Sequence, residues 1–66
     1  MTHNNKKFIR LIGVKSMVSL SRSTIYALMA AGKFPRSIPL GERSIGWLES
    51  DIQDWIDSRI ASSNAA

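Results

Sequence analysis

The sequence has no cysteine, so neither a disulfide nor a thiolate-held metal cluster can staple it. Packing alone must hold the fold, which fits a reducing cytoplasm. It has a single histidine, His3, in a polar opening segment with no second imidazole or thiol to share a metal ion, and no metal or cofactor is expected. With no histidine inside the fold to act as base, no thiol nucleophile and no glycine-rich phosphate loop, the chain is not expected to be an enzyme. Long apolar runs are missing too: Arg10 and Lys15 break the stretch from Phe8 to Leu20, far short of the roughly 18 uncharged residues of a membrane span. A chain of 66 residues is one small domain that buries only roughly 60% of its unfolded surface. A deep cavity would hollow out the only core, so no small-molecule ligand is expected and a surface-acting binder is favoured.

Acid is scarce over most of the chain. Nine Lys and Arg oppose five Asp and Glu, a net charge of +4. The two signs are also separated. Up to Trp47 there are eight basic residues (Lys6, Lys7, Arg10, Lys15, Arg22, Lys33, Arg36 and Arg43) and one acid, Glu42, giving +7. From Leu48 onward Arg59 stands alone against Glu49, Asp51, Asp54 and Asp57, giving −3. A basic body of this size suggests a polyanionic partner.

What is present reads as a run of short elements. Residues 1–7 form a polar arm, and Phe8 to Ile12 a brief extended lead-in. Val14 to Ser19 fits a short helix burying Val14, Met17 and Val18. Ser21 is suited to cap a second helix running to about Ala31, with Ile25, Leu28 and Met29 inward. At roughly 100° per residue the opposite face carries Ser23, Ala27 and Ala30, flanked by Thr24 and Tyr26. Gly32 and then Pro35 stop that helix. From Ser37 to Trp47 the period changes to two, around a turn at Gly41 to Ser44, which predicts a two-stranded hairpin with Pro39 on an edge. Ser50 with Gln53 signals a capping box for a last helix burying Ile52, Trp55, Ile56 and Ile60, with Arg59 near its end and a frayed tail over 62–66.

Two short helices, a two-stranded antiparallel wing and a packing helix over 8–61 make a mainly α winged helix-turn-helix. In that arrangement the second helix enters the major groove of double-stranded DNA. Its candidate contacts are Ser21, Arg22, Ser23, Thr24, Tyr26 and Ala27. Arg22 can address guanine or a phosphate, the hydroxyls can bond bases or phosphates, and Tyr26 offers a ring or a hydroxyl. On the wing and loops the candidates are Lys33, Arg36, Arg43 and Ser44, with Arg10 and Lys15 as weaker contacts to the DNA backbone. Trp47 and Trp55 fall on apolar stripes and read as core rather than as a base-stacking platform. That argues against single-stranded RNA as the partner.

Several motifs occur in order: Arg10-Leu11, Leu20-Ser21-Arg22-Ser23-Thr24-Ile25-Tyr26, Gly32-Lys33-Phe34-Pro35, Leu40 through Leu48, and Trp55-Ile56. Together they resemble the AlpA-type regulators of prophages and integrated elements, over about residues 10–61. The resemblance implies a winged helix-turn-helix related to MerR-like and excisionase DNA-binding domains. It further implies a transcriptional regulator, typically of an integrase or excision gene, in the cytoplasm and associated with the bacterial nucleoid. The alternative within that class is an architectural excisionase that bends attachment-site DNA and recruits integrase. One departure stands out: Ser19 occupies the place where the family usually has glycine, before the Leu-Ser of the turn. Expected protein partners are a second copy bound cooperatively on DNA, or integrase or RNA polymerase meeting the acidic last helix. No membrane partner is expected.

Overall fold

The computed structural model describes residues 6–65. Most of the N-terminal arm, Met1 to Asn5, and the final Ala66 lie outside the described residues. The elements are β1 (Phe8–Ile9), α1 (Leu11–Val18), α2 (Arg22–Ala30), β2 (Ile38–Pro39), β3 (Ile45–Leu48) and α3 (Glu49–Ala65). This is a mainly helical domain with a small antiparallel sheet, compatible with a winged helix-turn-helix.

The first helix starts three residues earlier than its apolar spacing suggests. Arg10 is its N-cap, in extended conformation and with no side-chain cap, while the Val14 N–H donates to the Arg10 carbonyl at 3.0 Å and closes the first turn. Without a capping side chain there was no local signal for this boundary. The helix ends at Ser19, which adopts the left-handed conformation (φ 59°, ψ 37°) and donates its N–H to the Lys15 carbonyl. Ser19 is the one non-glycine residue with positive φ among those described. Only Leu20 and Ser21 then separate the helices.

At Ser21 the local chemistry behaves as expected. Its side chain accepts from the Thr24 N–H and its carbonyl accepts from Ile25 at 3.0 Å, so α2 begins at Arg22. At the other end Lys33 donates to the Leu28 carbonyl at 2.8 Å and Gly32 to the Met29 carbonyl at 3.0 Å. With Gly32 at φ 73°, these nested bonds are a Schellman stop, in which glycine avoids the Cβ clash of the left-handed region.

The hairpin forms with Ile38 opposite Gly46 and Pro39 opposite Ile45, and the Leu40 N–H to Ser44 carbonyl bond of 2.7 Å closes its tip. The sheet, however, has three strands in the order β1-β3-β2. The lead-in pairs with the hairpin, Phe8 with Leu48 and Ile9 with Trp47. β3 is therefore central, and Gly46 has neighbours on both sides. A Cβ there would meet Leu40 Cδ1 at 2.8 Å and the Ile9 carbonyl oxygen at 3.1 Å.

Leu48 leads into Glu49 with no loop, and the Glu49 N–H donates to the Lys7 carbonyl at 2.7 Å. Ser50 consequently lies within the first turn of α3 rather than capping it. Glu49 and Asp51 supply the negative charge that suits this end of the helix. The helix continues to Ala65, so Arg59 sits mid-helix, its guanidinium 5.4 Å from the Trp55 ring centroid, instead of near the C-terminus. Ile60, expected to be inside, is 53% exposed, lining an open groove with Met17, Val18, Leu20 and Ile56.

The core consists of Val14, Ile25, Phe34, Trp47 and Ile52, packed round by Ile9, Leu11, Met17, Val18, Leu28 and Met29, among others. Every main element except β2 contributes, and no charged or polar residue is buried among those described. Phe34 was not foreseen as core. It lies in the loop after α2 and packs against Trp55 with ring centroids 4.8 Å apart.

Two substitutions test these constraints. Ser19→Gly is expected to stabilise the domain by about 0.5–1 kcal/mol by removing left-handed strain from a residue with a Cβ, raising Tm in a thermal melt by a few degrees. Gly46→Ala is expected to cost about 1–3 kcal/mol in denaturant unfolding, because the Ile9 carbonyl is backbone in a paired strand and cannot swing away.

Candidate nucleic-acid interface

The two faces of α2 differ sharply. Ile25 is fully buried, whereas Ser23, Thr24, Ala27 and Ala30 are exposed and Tyr26 is half-buried. Small side chains on the outer face allow another surface to approach the helix backbone. The N-terminal turn gathers hydroxyls: Ser21 Oγ lies 2.9 Å from Thr24 Oγ1 and 3.4 Å from Ser23 Oγ. Its bond with the Thr24 N–H, at 3.3 Å, satisfies one of the four opening backbone donors. Arg22, at the first helical position, is exposed and has its guanidinium carbon 5.6 Å from the Tyr26 ring centroid.

The remaining candidate residues are carried on separate elements. Arg10 caps α1 and Lys15 lies on its outer side, both exposed. Lys33 and Arg36 are exposed in the loop after α2. Arg43 is exposed at the tip of the hairpin, whereas Ser44 is half-buried and its carbonyl is engaged by Leu40. On α2, hydrogen bonds thus join Ser21, Ser23 and Thr24 and the cation–π contact joins Arg22 and Tyr26, and neither set reaches these other residues. What unites the set is charge, since no acid occurs before Glu42. The acids belong chiefly to α3, where Asp54 and Asp57 are exposed.

One positioning contact had only a weak sequence signal. Trp55 Nε1–H donates to the Lys33 carbonyl at 2.9 Å, and the Lys33 N–H is held by Leu28. The Lys33 side chain therefore projects from a backbone pinned at both its polar groups. A half-buried indole N–H needs an acceptor, but its sequence alone does not say that the acceptor lies 22 residues away.

The α2 end offers donors, hydroxyl groups and a cation with no opposing carboxylate in its first turn. Such a surface can hold anions or hydrogen-bonding edges. Among the described residues, no group of three His, Cys, Asp or Glu side chains could hold a metal ion, and no helix is long and apolar enough to cross a membrane.

The chain resembles known proteins. The chain is 41% identical over 56 residues to the uncharacterised protein ORF88 of Enterobacteria phage P4, covering 85% of this chain and 64% of that relative. It therefore spans less than two thirds of that protein's length. It is 28% identical over 65 residues to the DNA-binding transcriptional activator AlpA of Escherichia coli K12, covering 85% of this chain and 93% of the relative. The family described as prophage CP4-57 regulatory protein (AlpA) matches residues 7–60, a stretch that holds both helices of the turn, the wing and most of α3. The chain belongs to the AlpA family of prophage regulatory proteins.

Proposed function

We propose that this chain is a sequence-specific double-stranded DNA-binding transcriptional regulator of a prophage or mobile element, without enzymatic activity, acting in the cytoplasm on an integrase or excision gene. The observation that carries the proposal is the exposed outer face of α2, where Arg22 and three hydroxyls surround a capped helix start and small residues continue behind them. A helix of nine residues fits the major groove, which is about 12 Å wide. The activator name of the Escherichia coli relative supports the reading.

The side chains divide by role. Arg22, Ser23, Thr24 and Ala27 face base edges, with Tyr26 beside Arg22 on the same helix and Ser21 at the helix start beside a phosphate. Lys33, Arg36, Arg43 and Ser44 grip the backbone from the loop and wing, and Arg10 and Lys15 add to the same attraction from α1. Acid beside these residues repels phosphate; α1 and α2 carry none, whereas Lys33 shares a groove with Asp51 and Asp54 of α3 and Arg43 has Glu42 beside it. Asp54 and Asp57, exposed on α3, form the face for a protein partner such as polymerase, integrase or a second copy.

Titration of the protein against labelled duplexes from the region of its own gene, alongside scrambled duplex, tests the function. Binding to one native fragment that is about 10³-fold or more tighter than to scrambled DNA is expected, and equal binding to all fragments rejects sequence reading. Arg22→Ala is expected to cost about 1–3 kcal/mol on the preferred duplex and to relax base choice. Lys33→Ala should weaken all sequences alike and lower the salt slope by about one. The pair Asp54→Ala and Asp57→Ala is expected not to weaken DNA binding in the same titration, since it removes acid near Lys33, while reducing the effect on a reporter gene.

A further inference from the structure

We infer that Tyr26 is a positioning residue that sets the base-reading direction of Arg22 rather than a DNA contact in its own right. The inference rests on the DNA-reading function proposed above and assigns the division of labour within it. Arg22 and Tyr26 stand four residues apart on α2, one turn along the same face. The guanidinium carbon lies 5.6 Å from the ring centroid, within the range at which a ring face attracts a cation.

The ring lies beneath the guanidinium carbon, and no hydrogen bond to a described residue occupies the guanidinium. Its N–H donors lie in the guanidinium plane and remain free, which is the edge that pairs with the two acceptors of guanine or with a phosphate. An arginine side chain otherwise samples many rotamers, so a ring beneath it removes part of the ordering that DNA binding would impose. Tyr26 suits the task because it is half-buried while Arg22 is exposed. The ring is the less exposed member of the pair and the cation the more exposed one.

A second observation agrees. Arg22 occupies the first position of α2, where the positive end of the helix dipole disfavours a cation, and no acid stands in that turn to offset it. A charge kept where it does not help the fold fits a role toward a ligand better than a role in stability. The ring face of Tyr26 makes the position tolerable and fixes its direction at once.

The test is a double-substitution cycle. A random-sequence duplex library selected with the wild-type protein defines the preferred site and its Arg22-dependent base pair, identified as the one whose preference is lost in Arg22→Ala. Tyr26→Phe keeps the ring and is expected to bind within about twofold of wild type with the same base preference. Tyr26→Leu is expected to lose about 5- to 10-fold on the preferred duplex, with discrimination relaxed at that one base pair. In the Arg22→Ala background the same Tyr26→Leu change should cost under about twofold. A change in stability alone would not alter preference at a single base pair.

Equal losses from Tyr26→Leu in both backgrounds would overturn the inference and make Tyr26 a direct contact. So would a loss in Tyr26→Phe as large as that in Tyr26→Leu, which would place the role in the hydroxyl. Failure of the library to enrich any sequence would instead overturn the base-reading function itself, and the positioning role with it.

Discussion

The burial of Trp47 is the interaction on which the rest of the domain depends. It sits on the central strand with no exposed surface, so the strands on either side and the helices beneath are all ordered against it. A tryptophan buries about 150–250 Å², worth about 4–6 kcal/mol at about 25 cal/mol per Å². Its indole N–H is buried without a hydrogen-bond partner among the described residues, an opposing cost of about 1–3 kcal/mol. The apolar gain wins, and for a chain of 66 residues it is comparable to the whole net stability expected of such a domain. This is why one wing and one helical pair can be held in fixed relation with only five buried side chains among the described residues.

Placement of the functional face follows from the same economy. Ile25 is drawn fully inward, which turns Ser23, Ala27 and Ala30 outward at helical spacing. The left-handed Ser19 and the Ser21 cap define where α2 begins, and the Gly32 stop defines where it ends. The loop that follows is then tied to α3 by Trp55, so the α2 start, Lys33 and the wing are presented by a framework rather than by free segments. Charge is arranged independently of packing: basic residues on the exposed parts of the first elements, acids mainly on the last helix.

Much of this was legible in the sequence where the cause is local. The Ser21 cap, the Gly32 stop, the change of period after Ser37 and the outward set on α2 each depend on neighbours a few residues apart. What was not legible depends on distant partners. β1 is only two residues long and exists because Phe8 and Ile9 meet Leu48 and Trp47, some forty positions along the chain, and nothing in Phe-Ile itself announces a strand. Phe34 becomes core because a loop residue meets Trp55 from α3. Ile60 obeys the apolar stripe of its helix yet stays largely exposed, since periodicity says which way a side chain points but not how closely the facing helices approach it. α3 starts at Glu49 because β3 runs into it without a loop and the Glu49 N–H finds its acceptor in the distant Lys7 carbonyl, so Ser50 falls inside the helix and not at its cap. The individual roles of the interface residues lie beyond both readings, since exposure places a side chain without naming what it touches.

The two outer strands of the sheet have a consequence for the behaviour of the protein in a crowded solution. β1 and β2 are each two residues long, and Pro39 in β2 carries no N–H to offer. An incoming strand from another molecule would find almost no ladder to extend, while the one strand long enough to act as a template, β3, already has neighbours on both sides. Among the described residues the β-sheet therefore lacks the long open edge through which small β-containing proteins recruit copies of themselves into aggregates.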